Sequence, residues 1–86
     1  MGRQRRGEVQ ILTEILSLSI KGAKATHLMY KANLSYSTLR RYLSAALKQG
    51  LISKVCEDDG SVIYHITDKG KLLLEKLKEV KYSMQR

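Results

Sequence analysis

Eighty-six residues are enough for one domain with a single small core, of a size that buries only about 60–65% of its unfolded surface on folding. Sixteen Lys and Arg against eight Asp and Glu leave a formal charge of +8. That excess suits a polyanionic partner, an anionic membrane surface or simple solubility. The single cysteine, Cys56, excludes an internal disulfide and reads as a half-buried strand residue, and no apolar run is long enough to span a bilayer.

The placement of charge says more than its sum. From Ile15 through Cys56 there is no Asp or Glu, while Lys21, Lys24, Lys31, Arg40, Arg41, Lys48 and Lys54 fall in that stretch. The acids lie before it (Glu8, Glu14) and after it (Glu57, Asp58, Asp59, Asp68, Glu75, Glu79). One half of the domain is cationic and the other near balance.

Residues 1–7 read as a disordered basic arm, with Arg3, Arg5 and Arg6 available to polyanions. They lack the apolar stretch of a signal peptide, and Arg6 stands where a myristoylation signal needs Ser or Thr. A cytoplasmic, nucleoid-associated location is the expectation. The folded domain is expected over residues 8–86.

A first helix is expected from Glu8 to Lys21. Val9, Leu12, Leu16 and Ser19 share one helical stripe, Ile15 widens it, and Gly22 is the stop signal. A second, shorter helix is expected from Lys24 to Lys31, with Leu28, Met29 and Ala32 inward and a left-handed turn at Asn33. Tyr30 and Tyr42 read as core or boundary residues. Ser35 then offers an N-cap for a third helix, Tyr36 to Gln49, closed by Gly50, with Leu34 and Leu39 spaced as a hydrophobic staple.

Two strands follow, Leu51 to Glu57 and Ser61 to Ile66, around Asp58-Asp59-Gly60, and Asp-Gly between alternating segments predicts a hairpin. Thr67 caps a last helix over about 67–84. The expected class is therefore mainly α with a small β-hairpin (α+β), in the order helix, helix, helix, strand, strand, helix. That is the layout of a winged helix-turn-helix.

The third helix carries the functional argument. Leu39, Tyr42, Leu43, Ala46 and Leu47 gather on one side, and Ser37, Arg41, Ser44 and Lys48 on the other, flanked by Thr38 and Arg40. A merely solvated face would mix Glu with Lys; this one has no carboxylate, as a surface laid against phosphates requires. The major groove admits one α-helix, Arg can donate two hydrogen bonds to guanine, and hydroxyls can bond bases or phosphates. Recognition helices dock with their N-terminal end at the bases. Ser37, Thr38, Arg40 and Arg41 are therefore the candidates for base edges, and Ser44, Lys48, Lys31 and Lys24 for phosphates. Tyr36 either packs its ring on the core or turns its hydroxyl to a phosphate.

The runs His27-Leu28-Met29-Tyr30-Lys31-Ala32-Asn33-Leu34-Ser35-Tyr36, Tyr42-Leu43 and Gly50-Leu51-Ile52, with Tyr64-His65-Ile66-Thr67-Asp68-Lys69-Gly70, resemble a family of archaeal winged helix-turn-helix proteins. That family includes predicted transcriptional regulators and small basic nucleoid proteins, and the similarity covers roughly Glu8 to Leu77. It implies DNA binding through the third helix and dimerisation through the last. The chain departs from the pattern at the wing tip, where many winged helices are basic and this one has Glu57-Asp58-Asp59. Lys54, at the strand base, is the better wing candidate for DNA. It departs again in its last helix, which has room for about two coiled-coil heptads only.

In that helix Leu73, Leu77, Val80 and Met84 are spaced four, three and four, an a/d seam read as the interface of a symmetric homodimer. Leu72 and Leu74 are expected to pack onto the first helix. No metal site, cofactor site, small-molecule site or catalytic residue is expected: His27 and His65 are separated and without neighbouring ligands, and every glycine stands alone. The leading reading is a double-stranded DNA-binding regulator. The alternatives are a weakly sequence-specific nucleoid protein and a winged-helix module that docks proteins or RNA.

Overall fold

The computed structural model describes the backbone of residues 7–84 and the side chains of residues 7–79. The arm residues Arg3, Arg5 and Arg6, and the seam side chains Val80 and Met84, lie outside the described residues. The element order is α1 (Glu8–Leu18), α2 (Ala25–Ala32), α3 (Tyr36–Lys48), β1 (Ile52–Cys56), β2 (Val62–Ile66) and α4 (Asp68–Met84). This is the expected winged helix-turn-helix, mainly helical with one antiparallel hairpin.

Helix α1 buries Ile15 and Leu16 completely and stops three residues before the predicted end. The cause is Ser19. Its amide closes the last turn onto the Ile15 and Leu16 carbonyls, and its carbonyl accepts from Ile66 N of the wing at 2.9 Å. The same carbonyl accepts from Gly22 N at 3.1 Å, and Ala23 N, its helical donor, goes to Tyr64 O at 3.0 Å, so the turn and β2 together take the place of the next helical bonds. Ser19 is fully buried, and its hydroxyl donates to Ile15 O at 2.8 Å, so the joint leaves no polar group stranded. Gly22, at φ 91°, completes the reversal; a Cβ there would meet the His65 ring at 2.5 Å, so only glycine fits.

The turn between α2 and α3 follows its local chemistry. Asn33 adopts the left-handed conformation (φ 56°, ψ 54°), and Leu34 N donates back to Met29 O at 3.0 Å. Ser35 caps α3 by accepting from Thr38 N at 3.2 Å. At the other end of α3, Leu51 N donates to Ala46 O at 2.8 Å. The strands then pair in register from Ile52 with Ile66 to Cys56 with Val62.

The core is contributed by every element: Ile15, Leu16, Leu28, Leu39, Leu43, Ala46, Leu51, Ile52, Ile66 and Leu74. Thr67 locks α4 to the end of α3, since its hydroxyl donates to Gly50 O at 2.6 Å and accepts from Gly70 N at 3.0 Å. Gly70 is buried against this junction, and a Cβ there would stand 2.1 Å from Leu51 O.

Four side chains depart from expectation. Tyr30 is 82% exposed, and Leu72 is 61% exposed instead of lying on α1. Helix α4 turns Leu74 into the core, with Leu73 and Leu77 half-buried beside it, which carries Leu72 round to solvent. Val9, in the first turn of α1, is also exposed, as is Cys56 on β1. Leu73 and Leu77 thus pack partly on their own domain.

Candidate nucleic-acid interface

Helix α3 separates its two faces as its period requires. Leu39, Leu43 and Ala46 are buried, and Tyr42 and Leu47 pack against them. On the opposite side Ser37, Arg40, Arg41, Ser44 and Lys48 are exposed, and the helix has no acid anywhere in its length. A cationic and hydroxylated strip therefore stands open along more than two turns of helix.

The N-terminal end of that strip is organised by short-range contacts. Ser35 Oγ donates to Thr38 Oγ1 at 3.0 Å while accepting from Thr38 N, and Ser37 Oγ lies 3.5 Å from Ser35 Oγ. Thr38, half-buried, belongs to the cap as well as to the surface. Its hydroxyl is an acceptor within the protein and keeps its own proton for an outside acceptor.

Tyr36 does not pack on the core. The residue is 57% exposed, with the Arg40 guanidinium 5.9 Å from its ring centroid. At an exposed site such a contact is worth about 0.5–1 kcal/mol, enough to bias the Arg40 rotamers toward the front of the helix. Arg41 lies to one side of the strip, in a shallow concavity shared with Glu8, Tyr42 and Ala45. The start of α1 therefore brings a carboxylate near the flank of the cationic strip.

The other candidates come from other elements. Lys24 is the N-cap residue of α2, Lys31 is in its last turn, and Lys54 is on β1 opposite Tyr64; all three are exposed. At the tip of the wing Glu57, Asp58 and Asp59 are exposed. Hydrogen bonds from the Ser61 hydroxyl and amide hold Asp59 Oδ1 and lower its pKa, with a smaller contribution from the charge of Lys24. These bonds favour the charged form of Asp59.

Tyr30, expected at the core or its boundary, stands on the surface near the cationic residues of α2. It lines a shallow groove with Lys24, Thr26, His27 and Ile63. The available signal was its neighbourhood, because Lys31 and His27 flank it on a short helix whose inner stripe was already filled by Leu28 and Ala32. Among the described residues, no group of three or more His, Cys, Asp or Glu could hold a metal ion, and no helix is long and apolar enough to cross a membrane.

The fold and the exposed third helix define a winged helix-turn-helix protein, and the chain belongs to that family, whose sequence model matches residues 5–85. An uncharacterized protein of Methanocaldococcus jannaschii is 42% identical over 77 residues; these cover 88% of this chain and 34% of that protein. The chain therefore spans about a third of that relative's length. Among solved structures it is similar to Sso10a-2, described as a DNA-binding protein from Sulfolobus solfataricus, at 32% identity and TM-score 0.80, covering 90% of this chain and 80% of that one. It shares its fold with the transcriptional regulator BldR from Sulfolobus solfataricus (19% identity, TM-score 0.80, 86% and 55% covered). The fold also matches Streptococcus pneumoniae FabT, solved in complex with DNA (18% identity, TM-score 0.71, 85% and 54% covered).

Proposed function

We propose that this protein binds double-stranded DNA as an archaeal transcriptional regulator, laying α3 in the major groove. The observation that carries this reading is the uncovered outer face of α3, where Arg40, Arg41, Ser44 and Lys48 stand without a carboxylate along the helix. Ser37, Thr38, Arg40 and Arg41 address base edges from the N-terminal half, while Ser44 and Lys48, with Tyr36, Lys24, Lys31 and Lys54, meet phosphates. The similarity to a DNA-binding protein over nine-tenths of the chain supports the same conclusion.

Two copies paired through α4 would present two recognition helices to successive major grooves, about 34–36 Å apart. Leu73 and Leu77, half-buried on their own domain, keep apolar surface for that contact. The work is recognition, with no catalytic step.

Selection of bound sequences from a random duplex pool at two salt concentrations tests the reading. A regulator retains one family of sites at both, preferred by about 10³-fold or more over bulk DNA. Arg41→Ala then weakens the preferred site by about 1–3 kcal/mol, whereas Lys48→Ala weakens all sequences alike and flattens the salt slope by about one unit. Recovery of no duplex at low salt refutes DNA binding. A second reading, a nucleoid protein of weak sequence preference, is favoured by the +8 charge; it requires salt-sensitive binding with no enriched site.

A further inference from the structure

The acidic tip of the wing sits where it can act on DNA binding. Just before α2, Ala23 forms an isolated antiparallel bridge with Tyr64 of β2: Ala23 N donates to Tyr64 O at 3.0 Å, and Tyr64 N to Ala23 O at 2.8 Å. The segment entering α2 therefore runs along the edge of the wing. Continuing that antiparallel register sets Lys24 beside Ile63, and the two line one groove with His27 and Tyr30. Two residues nearer the tip is Ser61, whose amide holds Asp59 Oδ1 at 3.0 Å and whose hydroxyl donates to the same oxygen. The carboxylate is thus fixed at the tip end of the strand that Lys24 flanks.

We propose that Asp59 sets how strongly this protein holds DNA phosphates, acting through Lys24, for whose ammonium group a phosphate would have to compete with the Asp59 carboxylate. The proposal rests on the DNA-binding reading and deepens it. Lys24 is exposed, at the N-cap position of α2, with no acid in the first turn of that helix. It is placed to receive a phosphate, and the helix dipole adds to its pull. An anchored carboxylate on the neighbouring edge offsets part of that potential before DNA arrives. Asp59 therefore acts as a positioning residue for a phosphate contact without touching DNA itself. Both groups are exposed, so the effect is moderate and fades as salt screens it. The wing accordingly limits affinity and leaves discrimination to α3.

The test measures binding to a fixed duplex of random sequence from about 0.05 to about 0.3 M salt. The proteins are the full chain, Asp59→Asn, Lys24→Gln and the double variant. Asparagine keeps an oxygen for Ser61 and is favoured before glycine in hairpin turns, so the wing stays closed; Asp59→Ser is a second variant of different shape.

The expected result is binding about twofold to fivefold tighter for Asp59→Asn at low salt, the range of an exposed ion pair. The salt slope steepens by up to about 0.9, one more phosphate neutralised. In the Lys24→Gln background both gains disappear. Unchanged affinity in both Asp59 variants overturns the proposal. So does an equal gain with Lys24 absent, which would assign the acid a direct repulsion of phosphates. Failure of the unaltered protein to bind any duplex is a separate result, which refutes the proposed function itself.

Discussion

Placing a carboxylate in the centre of the α3 outer face separates folding from binding. Ser44 is exposed, with Arg40 four residues before it, Arg41 three before and Lys48 four after. Ser44→Glu therefore creates up to three helical ion pairs, each worth about 0.2–0.5 kcal/mol, and replaces serine by a better helix former. The folded state should gain about 0.5–1 kcal/mol, raising Tm by about 2–8 °C for a domain of this size. Binding should move the other way. If the new carboxylate withdraws two cations from phosphates, the slope of log affinity against log salt falls by about 1.8. At about 0.15 M salt that corresponds to roughly thirtyfold weaker binding, converging with the unaltered protein near 1 M. Calorimetric melting and a fluorescence titration across salt give both numbers from one preparation. A variant that melts higher yet binds as before would refute the assignment of this face to DNA.

Other outcomes follow from the same geometry. Gly70→Ala places a methyl 2.1 Å from Leu51 O and 2.7 Å from Ile66 Cγ1, and should cost at least about 1–3 kcal/mol in urea unfolding; an unchanged midpoint would show that α4 can slide off the hairpin. Ser61→Ala removes the main cause holding the Asp59 carboxyl below its ordinary range, so its titration by NMR should move up. Because the folded value is depressed, the Asp59–Ser61 contact stabilises the wing above the ordinary carboxylate pKa and loses that contribution as pH falls through the folded value. If α4 pairs two copies, Tm should rise with protein concentration and sedimentation should give twice the chain mass; a single-chain mass at every concentration sinks the dimer.

Most of the fold was legible because its punctuation is local. The left-handed turn at Asn33, the Ser35 cap, the Asp-Gly hairpin and the Thr67 cap each depend on residues within a few positions, and each was placed from composition and spacing. The end of α1 was not, because it is decided from a distance. Gly22 marks a stop, but the bonds from Ile66 N to Ser19 O and from Ala23 N to Tyr64 O, both to β2, take the chain out of the helix earlier. Leu72 and Tyr30 fail for a related reason. A wheel ranks the sides of a helix, but which side finds a neighbour depends on where α1, the wing and α2 come to rest. Helix α4 puts Leu74 in the core with Leu73 beside it, and α2 fills its inner contact with Leu28 and Ala32, which leaves Leu72 and Tyr30 outside.

The candidate strip on α3 is more legible in the sequence than these boundaries, because it is marked by the acids it excludes. Within that strip the side chains are unequally prepared. Helix α3 is pinned at its start by Ser35 and at its end by the bond from Leu51 N to Ala46 O, with Thr67 reaching over to Gly50 O. The ordering left for a partner to impose therefore falls mainly on the long cationic side chains. Arg40 already leans on Tyr36, whereas Lys48, in the last turn, is exposed with no ring beside it among the described contacts. Immobilising a flexible side chain at an interface costs about 0.5–1.5 kcal/mol, so a guanidinium held in advance keeps more of its hydrogen-bond energy on docking. Base reading should accordingly concentrate at the Tyr36–Arg41 end of the helix, and the Ser44–Lys48 end should hold the backbone with little regard to sequence.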